Sequence, residues 1–249
     1  MIKSRRHTKY WSRLFAGFIL SFEFGGRIAD VVSVSAVAVE TVRTAAGKRY
    51  SLFTDADGRH PVWDCGTPID VAVNLRQVSE SQWSSLVDDI QVAIDDINES
   101  SNFTLRRIGL TDAVPMSSWG TDWRRYTPAA PVVIAFGSGG DTDLLPPGAA
   151  AVGGQFSSID SDGQRRATAG WVYVDTRHLD DYPPGRGYLG RVGLLTHELL
   201  HVLGLGHVDS RQSESLMTPR LSDSSGYIGA GDIVGLRRLE AVSCSRHSP

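Results

Sequence analysis

From residue 61 onward, apolar positions along the chain switch between a period of two and a period of three to four. Ile69, Val71, Val73 and Leu75 recur at every second place, the signature of a strand with one buried face. Trp83, Leu86, Val87, Ile90, Ala93, Ile94 and Ile97 recur at three and four, which predicts an amphipathic helix over 81–98. Short apolar runs predict strands near Phe103–Arg107 and Val132–Phe136, and two more near Ala150–Phe156 and Ala169–Asp175. Val192, Leu195, Leu199 and Val202 return to helical spacing and predict a helix from about Tyr188 to Leu203. A last helix opens at Asp232 and reaches about Val242.

Ahead of residue 61 the pattern differs. Lys3, Arg5, Arg6, Lys9 and Arg13 precede a short apolar run from Leu14 to Phe22, the layout of a secretory signal, and Ala36-Val37-Ala38 offers a cleavage site. Ser4-Arg5-Arg6 also hints at a twin-arginine signal, though the residues downstream match poorly. Residues 1–38 are therefore expected to be an export signal or N-terminal anchor, 39–60 a linker or short pro-segment, and 61–249 the folded domain. The net charge of −3 gives no electrostatic case for nucleic acid or an anionic membrane surface. No run of about twenty apolar residues occurs, so no extensive membrane span is expected.

Candidate chemistry is concentrated in residues 197–207, His-Glu-Leu-Leu-His-Val-Leu-Gly-Leu-Gly-His. On a helix His197 and His201 stand one turn apart on one face, which lets two imidazoles hold one metal ion. Glu198 lies about 100° further round, too far to be a natural third ligand but able to reach a water beside the metal. Gly204 and Gly206 permit a sharp reversal that returns His207 to the same point. Three ligands and an open position describe a catalytic zinc, whereas structural zinc is closed by four. Glu198 is then the general base.

The pattern H-E-x-x-H-x-x-G-x-x-H, with Met217 ten residues later in Ser215-Leu216-Met217-Thr218-Pro219, resembles that of the metzincin metallopeptidases. Within them the chain is most similar to the matrixins and their bacterial relatives. The third ligand is His207, not the Asp of the snapalysin branch, and Pro219 stands where astacins and serralysins carry a Tyr. Gly231-Asp232-Ile233-Val234-Gly235-Leu236 resembles the matrixin Asp-Asp-Ile-x-Gly-Ile, with only the second Asp kept. The resemblance implies an α+β catalytic domain with a twisted, mostly parallel five-stranded sheet, an antiparallel edge strand and three helices. It implies a metalloendopeptidase with one catalytic zinc, Met217 as a floor beneath the metal, and Asp232 buried against the Met-turn. An ordinary helix N-cap is the other reading of Asp232. Metzincins bind peptides along an edge strand, here Ala150–Phe156, where Ala151, Gly153 and Gly154 would let a substrate backbone approach; a glycine-rich loop is the alternative.

No His occurs between His60 and His178, so the second, structural zinc of animal matrixins is not expected. Asp141, Asp143, Asp160 and Asp162 are candidate calcium ligands, although acidic loop residues are ordinarily just solvated. Cys65-Gly66-Thr67-Pro68 superficially resembles the matrixin cysteine switch but lacks its preceding Pro-Arg. Two cysteines in an exported chain read more naturally as a disulfide, Cys65 to Cys244. The expected partner is a peptide or protein substrate, acted on by a secreted monomer. A zinc-binding module without activity and a non-peptidase zinc hydrolase are the rival readings.

Overall fold

The computed structural model describes residues 38–44, 49–55, 57–127, 129–209 and 214–244. In chain order it contains β1 (Ala38–Arg43), β2 (Arg49–Thr54), β3 (Ile69–Asn74), α1 (Glu80–Ser100), β4 (Leu105–Leu110), β5 (Val132–Gly137), β6 (Ala151–Ile159), β7 (Arg165–Asp175), α2 (Arg191–Leu203), β8 (Leu205–Gly206) and α3 (Ala230–Cys244). Five of the strands form a mixed sheet in the order β4-β3-β5-β7-β6, parallel except for β6. Among the described residues β6 pairs with β7 alone, which leaves its other backbone edge without a strand partner there. The chain is therefore α+β.

Alternation along the strands sorts their side chains onto two faces. Val71, Val73, Val132, Ile134, Val172 and Val174 meet the apolar stripe of α1 (Leu86, Ile90, Ala93, Ile94, Ile97) together with α2. Val133, Ala135, Ala169 and Tyr173 face the other way, against Trp119 and Trp123 of a helical segment, Ser117–Arg125. Between α1 and the start of α2, Arg191 donates to Asp89 at 2.8 Å with both side chains buried, and Asp89 also accepts the Gly185 N–H. Removing one member of such a pair strands the other charge and costs about 3–5 kcal/mol.

Several boundaries differ from those the periodicity suggests. α2 starts at Arg191 rather than Tyr188, because Gly187 and Leu189 take positive φ (112° and 56°) and Gly190 is extended. β4 runs Leu105–Leu110 instead of 103–107. β7 begins at Arg165, in a hairpin with β6 whose turn is closed by Asp160 accepting the Asp162 and Gln164 N–H groups.

The main addition lies ahead of residue 61. Residues 39–60, expected as a linker or short pro-segment, hold β2 and all of β1 but its first residue, Ala38, and the two strands pair as an antiparallel hairpin. β2 pairs in turn with β8, making a second, three-stranded sheet. Tyr50, Ser51 and Leu52 are buried, so this hairpin carries core of its own. Residues 1–37, with the basic and apolar runs expected to direct export, lie outside the described residues. No helix among the described residues is long and apolar enough to cross a membrane.

Cys65 and Cys244 are joined in a disulfide, fastening the lead into β3 to the end of α3. Closing a loop with a sequence separation of 179 removes about 5 kcal/mol of chain entropy from the unfolded state on the loop-entropy model. Cys65 is thus held beside α3, with no thiol to offer a metal.

Candidate metal centre

All of α2 is buried, from Arg191 to Leu203, so both helical histidines project into a packed environment. The helix ends where Gly204 takes φ 112°, and its N–H returns to the Leu200 and His201 carbonyls. Only glycine adopts that conformation without strain. The chain then turns through Leu205 and Gly206 and delivers His207 from the solvent side.

The three Nε2 atoms converge. His197 and His201 are 3.1 Å apart, His197 and His207 3.1 Å, and His201 and His207 3.0 Å. The opposite ring nitrogens identify the tautomers. His197 Nδ1 lies 2.7 Å from the Leu216 carbonyl oxygen, and His201 Nδ1 lies 2.8 Å from that of Leu205. A carbonyl oxygen can only accept, so each Nδ1 carries the proton and each Nε2 presents a lone pair. Burial, with His207 nearby, pushes His197 down to about 4; burial and the other two imidazoles hold His201 well below its ordinary value. Burial also lowers His207. The His197 and His201 lone pairs and His207 Nε2 are aimed at one point, where a cation would be held by all three. Their spacing suits zinc, which takes nitrogens at about 2.0–2.1 Å, and carbonyl support at the far nitrogen is the usual outer shell of a metal-bound His. Among the described residues, this is the group of His, Cys, Asp or Glu side chains whose donor atoms come close enough to share an ion.

Glu198 is buried beside them, and burial raises its carboxyl to about 8 against the opposing pull of the Gly153 N–H. It lines a cavity of about 400 Å³ with His197, Ala151 and Tyr182; Pro219 and Leu221 close another wall.

The segment after His207 is tied to the site through the Leu216 carbonyl, which faces His197 Nδ1. Met217 is buried, and its carbonyl accepts the Val208 N–H at 2.8 Å. Asp232 is also buried; it accepts from the Leu216 N–H at 2.8 Å and from the Ser215 hydroxyl at 2.5 Å. Asp232 is the third residue of α3, not the cap. Its side chain turns back to the Gly229 N–H at 2.8 Å, as in half of a capping box. Leu216 is thus gripped at both ends of its backbone, by Asp232 at the N–H and by His197 at the carbonyl.

Ala151, Gly153 and Gly154 lie on the open edge strand, but the glycines serve the fold itself. A Cβ on Gly153 would meet the Glu198 carbonyl oxygen at 2.2 Å, and one on Gly154 would meet the Trp171 ring at 2.6 Å. Their smallness admits α2 on one side and an indole on the other. The four loop aspartates differ in use. Asp141 accepts from Ser138 and Gln77, Asp143 from the Ser117 N–H, and Asp160 from Arg166 and its own turn, whereas Asp162 stays exposed.

Three contributors to this region carry no legible signal in the sequence. Trp63 donates to the Val202 carbonyl at 2.7 Å. Arg191 ties the start of α2 to α1. The Phe53 ring stacks on His201 with centroids 5.5 Å apart and planes at 21°. The Tyr50-x-Leu52 alternation hints at a strand there, but nothing in it points to the metal.

No family model matches the chain, and no curated protein matches it in sequence. Among solved structures it is similar to archaemetzincin from Methanopyrus kandleri. The TM-score is 0.43 and the identity 20%, over 70% of this chain and 96% of that one.

Proposed function

We propose that this chain is a zinc-dependent metalloendopeptidase of matrixin-like type, exported from the cell. The observation that carries the reading is the convergence of three imidazole Nε2 atoms beside the buried Glu198 carboxyl in the wall of an open cavity. His197, His201 and His207 would hold the ion. When bound, zinc lowers the pKa of a water toward about 7 and polarises the scissile carbonyl.

Burial holds the Glu198 carboxyl up at about 8; a cation at the three histidines would favour its ionised form, in which Glu198 takes the proton of the attacking water and passes it to the departing amine. Leu216 and Leu205, through their carbonyls, keep the two helical imidazoles in the tautomer that leaves Nε2 free. Ala151 belongs both to the cavity wall and to the edge of β6, so a peptide added antiparallel along that edge brings one side chain over the cavity. Export is supported by the basic and apolar N-terminus and by the pairing of both cysteines.

The test digests a peptide library with the full chain. Expected are one zinc per chain, cleavage abolished by a chelator and restored by zinc, and Glu198→Ala retaining zinc while kcat falls about 10²–10⁴-fold. Zinc without cleavage would favour an inactive binding module, and ester but not peptide hydrolysis a different hydrolase. Undiminished turnover in Glu198→Ala would refute the assigned base.

A further inference from the structure

We infer that the β1–β2 hairpin is a permanent part of the metal centre, and that Phe53 is a positioning residue for His201. The inference rests on the three histidines forming a zinc site, the reading proposed for this chain. Between the second and third ligands run only Val202 to Gly206, and the last three of these are held by the hairpin. The Phe53 N–H donates to the Gly204 carbonyl at 2.9 Å, Leu52 pairs with Leu205, and Ser51 pairs with Gly206. Leu205 is also the residue whose carbonyl accepts the His201 Nδ1 proton. The hairpin therefore fixes the peptide that selects the tautomer of His201, while the Phe53 ring covers that imidazole.

The hairpin is seated too firmly to be a detachable segment. Gly231 and Gly235 of α3 make room for it: a Cβ on the first would stand 2.1 Å from the Arg49 carbonyl oxygen, and one on the second 3.1 Å from Tyr50 Cβ. The chain leaving β2 is tied down by Asp55, which accepts from the Asp57 and Arg59 N–H groups and from the Arg59 and Arg165 side chains. His60 Nδ1 lies 3.0 Å from the Phe53 carbonyl oxygen and donates to it. Removing the hairpin would expose Leu205 and the buried side of α3 while freeing the link to His207. The metal site would loosen rather than open.

The experiment uses the full chain carrying Phe53→Ala, Phe53→Leu or Phe53→Tyr. Zinc affinity is read by competition with a chromophoric chelator, and ligand geometry by the visible bands of the cobalt-substituted protein. Far-UV circular dichroism checks folding. Phe53→Leu keeps apolar bulk without the ring, so it remains informative if Phe53→Ala fails to fold. Expected are zinc binding weakened about tenfold or more and altered cobalt bands in Phe53→Leu, with both restored by Phe53→Tyr.

A second arm places a specific protease site at Asp57–Arg59. The nicked hairpin should stay bound through dialysis, with zinc retained. Wild-type zinc affinity and cobalt bands in Phe53→Leu would overturn the positioning role. Release of the hairpin to leave a zinc-loaded, active remainder would overturn its permanence. Wild-type protein that binds no zinc would overturn the underlying metal site as well, so the two failures are distinguishable.

Discussion

Gly153→Ala provides the sharpest separation of fold from chemistry. The added methyl would stand 2.2 Å from the Glu198 carbonyl oxygen, 2.8 Å from its carbonyl carbon and 2.9 Å from its Cα. Ordinary contact begins near 3.4 Å, and the shortfall against 2.2 Å is about 1.2 Å. Every atom met is backbone, so no rotamer change relieves the clash; β6 and α2 must separate. Overpacking of this kind costs about 2–3 kcal/mol, and a chain of this size then loses about 4–12 °C in Tm. The displaced segment carries both Glu198 and its neighbour His197, and a shift of about 1 Å at reacting groups costs on the order of 10²-fold in rate.

Gly154→Ala is the control, because its methyl meets the Trp171 side chain, which can move, and points away from α2. It should lower Tm while leaving kcat/KM nearly intact. The assay pairs thermal unfolding of the zinc-loaded protein with kcat/KM on a cleaved peptide. A Gly153→Ala protein within about twofold of wild type in kcat/KM and unchanged in Tm would refute the close approach of strand and helix.

Two further substitutions test the supports of the site. Asp232→Ala leaves the Leu216 and Gly229 N–H groups and the Ser215 hydroxyl without their acceptor, at about 1–3 kcal/mol for each buried group. Denaturant unfolding should show a loss of at least about 3 kcal/mol, with weaker zinc binding because Leu216 orients His197; unchanged stability would contradict the grip. Asp55 is lowered from its ordinary value. Burial opposes the charge, but the Arg59 N–H, the Arg165 guanidinium, the Asp57 N–H and the Arg59 charge together outweigh it. A depressed folded-state pKa means stability present above the unfolded value of about 3.9 and lost as pH falls through the folded one. Asp55→Asn should therefore be less stable at neutral pH and show a flatter decline below about pH 4 in acid titrations of unfolding; an unaltered acid limb would rule out the ionised Asp55 as a support.

The local sequence determined most of the elements from residue 61 onward and the spacing that brings three histidines together. Apolar spacing of two and of three to four placed β3, α1 and α2 closely, and a continuous apolar run placed β5, which is buried along its whole length. His197, His201 and His207 could be read from spacing alone, since a helical turn and a glycine reversal are local geometry. The partners of those ligands were decided only by the tertiary structure. Leu216 and Leu205 orient the imidazoles through their carbonyls, and a carbonyl belongs to every residue, so composition cannot single it out. Gly153 and Gly154 read as room for a substrate, whereas packing gives that room to α2 and Trp171. The hairpin ahead of residue 61 is the clearest case. Its strands are short and its pairing partner, Leu205–Gly206, lies some 150 residues away in sequence. Nothing local in 39–60 specifies that contact, because its energy comes from buried surfaces that exist only once α2 and α3 have packed.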